Sequence, residues 1–335
     1  MFRRALVAAM AALLTACATL PPMPPAPGSS LARLPGWDAE DHAAAFAAVR
    51  SACREAPLRG RNRVCAEASA RGELAEGAAR AFLERHFRAE PIEGEGLLTG
   101  YFSPSYEARS ARQGEFTAPV RPAPGDDAAA PDRAEIEKTA APDALAWMRP
   151  EDLFFLQVQG SGALTFGDGT RRRAIFAGAN DGRFVPIAKV LVAQGLIAPA
   201  DATASAVHDW LAVHRGAAAE AVMDQDPRYV YFRLVPDGGG EPIGASGAAL
   251  IPGRSLAIDP AYHPYFELLW IDARAARLAG APPSYQRLAV ALDRGGAISG
   301  PARADLYVGR GPGAGEEAAR IEYTLRLYRI APAQP

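Results

Sequence analysis

The chain has no extended basic segment: outside Arg171-Arg172-Arg173 there is no arginine- or lysine-rich block, and the formal net charge of its 335 residues is -2. Without such a block a phosphate backbone finds no electrostatic footprint, so nucleic acid is excluded as a partner class. Histidine is sparse and scattered, and the five residues (His42, His86, His208, His214, His263) form no HxxxH or HExxH pair. The three cysteines are also too widely spaced to complete a common metal site, so neither a metal nor a cofactor is expected. The glycines from Gly309 to Gly315 do not make a phosphate loop. No Gly-Lys-Ser/Thr ending follows, and Ala314 stands where the third glycine of GxGxxG belongs.

An apolar share of 49% with 22% charged residues is enough to bury a sizeable core in one large domain or two modest ones. Ahead of that core the chain begins with Met1-Phe2-Arg3-Arg4, a positive start, and continues from Ala5 to Leu14 as an apolar run too short for a stable membrane span. The run ends at Leu14-Thr15-Ala16-Cys17. This junction resembles the lipobox of bacterial lipoproteins, which implies a signal peptide over residues 1–16, cleavage before Cys17, acylation of that cysteine and export across the inner membrane. A plain secretory signal is the alternative. Ala18 in place of an aspartate implies sorting to the outer membrane, facing the periplasm. Loss of Arg3 and Arg4 leaves 34 basic against 38 acidic residues, a mature charge of -4.

Two cysteines remain, Cys53 and Cys65, an even pair in an oxidising compartment, which predicts a disulfide against the alternative of two buried thiols. Residues 17–35, rich in Pro, Ala and Ser, read as a flexible tether. A helix follows from Asp38 with Phe46, Val49 and Cys53 on one face, and a second runs from about Glu73 to Phe87, with Cys65 in the loop before it. Gly96 to Phe102 is a strand interrupted by glycine, where a ligand or another segment approaches closely. From Ala111 to Asp132 the composition shifts to Pro, Ala, Gly and Asp, which marks a domain edge. Phe154 to Gln159 reads as a strand that projects Gln157 and Gln159 from one face before the Gly160-Ser161-Gly162 turn, and paired amides of this kind suit a sugar. A plain polar edge strand competes with that reading. The segment beyond residue 237 is expected to be all strand and turn: short apolar runs from Ala248 to Ile330, separated by Gly, Pro and Asp, make the pattern of a small barrel.

The stretch from Leu288 to Glu317 carries the sharpest chemical signal. One apolar run ends at Asp293, a second carries Asp305 ahead of Leu306 to Val308, and glycines 295, 296 and 300 allow turns that would return the second strand beside the first. Ordinary turn chemistry explains an aspartate beside glycine equally well.

Taken in order, LLTGYF (97–102), FFLQVQGSG (154–162), AGANDGRFVPIAKVLVAQG (177–195), YVYF (229–232), GRSLAIDP (253–260) and ALDRGGAISGPARADLY (291–307) resemble the membrane-bound lytic murein transglycosylase A family. The resemblance implies a mainly β protein with N-terminal helices. A double-psi β-barrel catalytic domain would comprise residues 36–112 and 237–335, and a second β-rich domain, 113–236, would be inserted into it, with a glycan groove between them. It places the catalytic aspartate on Asp305 and a supporting one on Asp293, with Asp259 structural. The groove-lining motifs fall on Thr99, Gly100, Tyr101, Gln157, Gln159, Gly160, Ser161 and Gly162. The sequence departs from the family pattern at Ser299, where Lys or Arg is usual, at Asp226, at Ala319, and at His263 to Phe266, which lacks a Pro-Leu-Gly turn.

The implied activity is non-hydrolytic cleavage of the β-1,4 bond between N-acetylmuramic acid and N-acetylglucosamine in peptidoglycan glycan strands, forming 1,6-anhydro ends. Its partners would be those strands, the outer membrane through the lipid anchor, and wall-synthesis proteins. Two other functions stay open at this point: a non-catalytic wall-binding lipoprotein, and a muramidase that uses Asp293 and Asp305 as a conventional carboxylate pair.

Overall fold

The structure, a computed structural model, describes residues 28–55, 63–125, 131–278 and 281–333. The expected signal peptide, the lipidation site at Cys17 and the tether up to residue 27 lie outside the described residues. The chain begins with β1 (Ser29–Ser30), α1 (His42–Glu55), α2 (Arg63–Ala70), α3 (Glu76–His86), β2 (Phe87–Pro91) and β3 (Gly96–Ser103). Next come β4 (Ser105–Ala108), β5 (Ala118–Val120), α4 (Arg133–Glu137), β6 (Ala146–Met148), α5 (Pro150–Gln159), β7 (Ser161–Phe166) and β8 (Arg171–Ala179). The helices α6 (Ile187–Ala193), α7 (Ala204–Val213) and α8 (Ala217–Met223) lead to β9 (Val230–Pro236). The remainder is β10 (Ser255–Ile258), β11 (Leu268–Ala276), β12 (Tyr285–Arg294), β13 (Arg303–Arg310), α9 (Gly311–Ala318) and β14 (Glu322–Pro332).

Strand order in the larger sheet is β1-β2-β14-β11-β12-β10-β13-β3, and β14 also pairs with β3. That last pairing closes six strands into a barrel, with β10 parallel to β12 and β13 parallel to β3. The fold is a double-psi β-barrel. Period-two placement explains its core. Leu269 and Ile271, Ala289 and Ala291, Ala304 and Leu306, and Leu325 and Leu327 are all buried in one cluster. Each Leu or Ile so buried stabilises by roughly 1.5–3 kcal/mol. The opposite face of the same strands offers Trp270, Leu288 and Tyr328 to Phe46, Val49, Phe82 and Leu83 of the N-terminal helices.

Between β3 and β10 the chain leaves the barrel and forms a second sheet, β4-β7-β8-β9, with β5 and β6 as a separate pair and α4 to α8 around them. Since Ser105–Ala108 pairs with β7, this excursion starts before residue 113, the boundary expected for the inserted domain.

Several local expectations are corrected. Residues 154–159 are not a strand but the body of α5. Pro150 sits in its first turn with Glu151 and Asp152, and Gly160 closes it at φ 77°. Proline at the start and a left-handed glycine at the end are helix boundaries, and they outweigh the β-prone run between them. The segment assigned to the tether ends earlier than residue 35, because Leu31 and Leu34 are buried in the N-terminal core and Ser29–Ser30 pairs with β2. The first helix begins after Asp41, whose Oδ1 accepts from the Ala44 N–H at 2.9 Å. Cys53 and Cys65 do form a disulfide, but Cys65 lies on α2 rather than in a loop. Residues 248–252 form no strand, and 311–318 form a helix within the segment expected to be all strand and turn.

Phe266 is the one non-glycine residue at positive φ (69°) among the described residues. A bulky residue there carries backbone strain. Its ring packs against the cluster of Ala48, Val290, Leu292 and Tyr307.

Candidate active site

The carboxylates of Asp293 and Asp305 belong to β12 and β13, but those strands are not neighbours. β10 runs between them, and Ala257 is in register with Asp293 on one side and Asp305 on the other. The glycine-rich turn therefore spans a third strand and does not make a simple hairpin. Both aspartates line a cleft whose other wall comes from the excursion, through Gln157, Gln159, Phe184, Asp226 and Arg228.

Asp305 sits on the cleft floor. Thr99, its register partner on parallel β3, donates from Oγ1 to Asp305 Oδ1 at 2.7 Å. Arg303, two residues earlier on β13, donates from Nη2 to the same Thr99 oxygen at 2.9 Å. Although some of its surface remains accessible, the carboxyl is closely enclosed. Burial pushes its pKa up to about 6, against the Thr99 hydrogen bond and the Arg303 charge, while the charge of Asp293 adds to the rise.

Asp293 is more heavily engaged. Oδ1 accepts from the backbone N–H groups of Ala245 and Arg294, both at 2.9 Å, and Oδ2 accepts from the Tyr101 hydroxyl at 2.8 Å. Burial raises its pKa, and these three bonds work against the rise. Burial also raises the Tyr101 phenol well above its usual value, with the charge of Asp293 adding to the effect, so Tyr101 remains a donor.

The other expected site residues separate into three groups. Gly100 and Tyr101 line the cleft, but Gly100 is glycine for a further reason: a Cβ there would lie 3.0 Å from the Ala318 Cα, so α9 is the segment that approaches it. Gln157 and Gln159 both line the cleft from the C-terminal end of α5, yet only one has an uncommitted group. Gln157 is buried, with Oε1 accepting from Arg133 Nη1 at 2.7 Å and Nε2 donating to the Val230 carbonyl at 3.2 Å. Gln159 Oε1 is buried and has no hydrogen-bond partner among the described residues. Thr99, Gly160, Ser161 and Gly162 are not among the residues that line the cleft. Thr99 stands behind Asp305, Gly160 caps α5, and Gly162 is packed so that a Cβ would lie 2.7 Å from Leu156 Cδ1. Asp259 accepts from the Gly300 and Ala261 N–H groups at 2.8 and 3.0 Å and holds the end of the loop that leads into β13.

Three arginines of the site escape a reading of the sequence. Arg133 is buried beneath the cleft and donates to Gln157, Glu137 and the carbonyls of Asp226 and Arg228. It comes from the segment of weakest pattern. Arg228 reaches across to the barrel, where its Nη1 lies 2.5 Å from where a Cβ on Gly296 would be. Only Arg303 had a signal, since two residues before Asp305 on a strand is the same face.

Family models match at two places: the MltA specific insert domain over residues 97–233 and the 3D domain over residues 254–331. The membrane-bound lytic murein transglycosylase A of Escherichia coli (strain K12) is 34% identical over 246 residues, 72% of this chain and 67% of that protein. The protein of the same name from Vibrio cholerae is 32% identical over 245 residues, 71% and 66% of the two chains. Among solved structures, E. coli MltA with bound chitohexaose aligns at a TM-score of 0.74 and 29% identity, covering 93% of each chain. A membrane-bound lytic murein transglycosylase from Agrobacterium tumefaciens aligns at 0.77 and 26% identity, covering 91% of this chain and 97% of that one.

Proposed function

Because the chain belongs to the membrane-bound lytic murein transglycosylase A family, we propose that it cleaves the β-1,4 bond between N-acetylmuramic acid and N-acetylglucosamine of peptidoglycan without water, with Asp305 as the one acid and base. The observation that carries this reading is the inequality of the two carboxylates. Asp305 is enclosed, raised to about 6 and, among the described residues, hydrogen-bonded on one oxygen only, whereas both oxygens of Asp293 are taken by three donors.

An enclosed carboxyl with a raised pKa is fitted to be an acid near neutral pH. Asp305 donates its proton to the bridging oxygen as the bond from that oxygen to C1 of the muramic acid breaks. The C6 hydroxyl oxygen of the same sugar then bonds to C1 and gives its proton to the Asp305 carboxylate. The enzyme is returned to its starting state and no water is consumed. A conventional hydrolase would need the second carboxylate free to attack or to activate water. Asp293, held by Ala245, Arg294 and Tyr101, serves instead to fix Tyr101 and the cleft floor. The barrel supplies the acid, and the excursion between β3 and β10 supplies the opposite wall with Gln159 and Arg228.

The location proposed is the periplasmic face of the outer membrane, through lipid on Cys17. Among the described residues no helix is long and apolar enough to cross a membrane. Recruitment by wall-synthesis proteins belongs to the same picture. Digestion of isolated sacculi followed by mass analysis of the released muropeptides tests the activity. Anhydro ends support it, reducing ends would indicate hydrolysis, and binding without release would indicate a wall tether.

A further inference from the structure

We infer that Arg303 and Thr99 are positioning residues that place the acidic proton of Asp305 on Oδ2. The inference rests on Asp305 being the acid. A guanidinium has only donors, so the 2.9 Å contact from Arg303 Nη2 fills one lone pair of the Thr99 oxygen. Arg303 is held in that pose by the carbonyls of Leu97 and Ala304. The Thr99 hydroxyl proton then has one acceptor among the described residues, Asp305 Oδ1 at 2.7 Å.

Oδ1 is thereby the carbonyl-like oxygen of the neutral acid. A proton on Oδ1 would meet the Thr99 proton on the same line, or would bond the second Thr99 lone pair and force that hydroxyl to turn its own proton away from its acceptor. Oδ2 accepts no hydrogen bond from the described protein, and Asp305 lines the cleft, so the oxygen carrying the proton is the one left for substrate. The arrangement serves the second half of the reaction as well. Once ionised, the carboxylate keeps Thr99 on Oδ1, so Oδ2 is the more basic oxygen and takes back the C6 proton. Polarisation by the Arg303 charge strengthens the Thr99 donor, as expected in a chain of hydrogen bonds.

The test compares Thr99→Val, Thr99→Ser, Arg303→Met and Asp305→Asn on solubilised glycan strands, reading kcat, KM and the pH at which activity falls on the alkaline side. Valine matches threonine in shape and removes only the hydroxyl. Thr99→Val is expected to lower kcat about tenfold at little change in KM, the scale of one hydrogen bond to an ionisable group. Its alkaline limb moves to higher pH, because Thr99 holds the Asp305 carboxyl down. Thr99→Ser restores most of the rate and the limb, and Arg303→Met changes both in the same direction as valine. The relay is overturned if Thr99→Val keeps the parent kcat and limb, or if Thr99→Ser is as impaired as Thr99→Val. An active Asp305→Asn variant would remove the assignment of the acid itself, and an inactive one beside a normal Thr99→Val would remove the relay alone.

Discussion

Asp293 and Asp305 flank Ala257 in the same register, one on the parallel neighbour of β10 and one on its antiparallel neighbour. Two strand spacings put their Cα atoms on the order of 10 Å apart. At that separation they sit in distinct surroundings, and the barrel has given them distinct hydrogen bonds.

Neutralising them should therefore have unequal effects. Asp305→Asn can neither donate the required proton nor accept one from the C6 hydroxyl, so cleavage is abolished while glycan binding largely survives. Asp293→Asn loses ionic acceptors for Ala245, Arg294 and Tyr101, and activity falls about 10²-fold, the low end of what a positioned acid–base group contributes. Rates and binding measured on the same sacculi check both, and equal complete loss would favour a paired-carboxylate mechanism.

The raised Asp305 carboxyl also has a thermodynamic consequence. Its folded pKa is about 6, against about 3.9 for an unperturbed aspartate. Between those values the native state holds the proton more tightly than the unfolded chain, so this group's contribution is fully present below about pH 4 and is lost as pH rises through about 6. Asp305→Asn removes that loss. Thermal or denaturant unfolding should find the variant more stable by roughly 2–3 kcal/mol above about pH 7, with the gain vanishing toward about pH 4.

The two glutamines of α5 should separate stability from binding. Gln157→Leu deprives buried Arg133 of an acceptor and is expected to cost about 1–3 kcal/mol of stability. Gln159→Leu removes a buried carbonyl that no described protein group uses, so the melting temperature does not fall and KM for glycan rises. Paired melting curves and saturation curves check the contrast.

Cys53 and Cys65, twelve residues apart, join α1 to α2, and neither lines the cleft. Replacing both by serine should lower stability by roughly 3 kcal/mol in the chain-entropy account. The kcat of the folded protein should be unchanged at moderate temperature.

What the sequence made legible follows from how local each signal was. Leu288 to Leu292 and Leu306 to Val308 carry their strand character in their own residues, and so the two aspartates could be placed on strand positions. The interposition of β10 depends on pairing across more than thirty residues, which no local pattern encodes. α5 carries a conflict in its own residues, because Phe154, Phe155 and Val158 favour strands while Pro150 and Gly160 bracket a helix. Leu31 and Leu34 lie just beyond a proline-rich tract whose composition masked them. Arg133 was invisible because its partners, Gln157 and the carbonyls near residue 227, are brought to it only by the folded second sheet.

The most direct measurement of the central claim is digestion of purified sacculi in water enriched in heavy oxygen, with mass analysis of the newly formed muramic ends. Intramolecular closure by the C6 hydroxyl predicts ends lighter than a reducing end by one water and free of the heavy isotope, all lost in Asp305→Asn. New reducing ends that appear in step with cleavage and carry one heavy oxygen would contradict it, since a cut yields a reducing end only if water takes the place of the leaving sugar on C1.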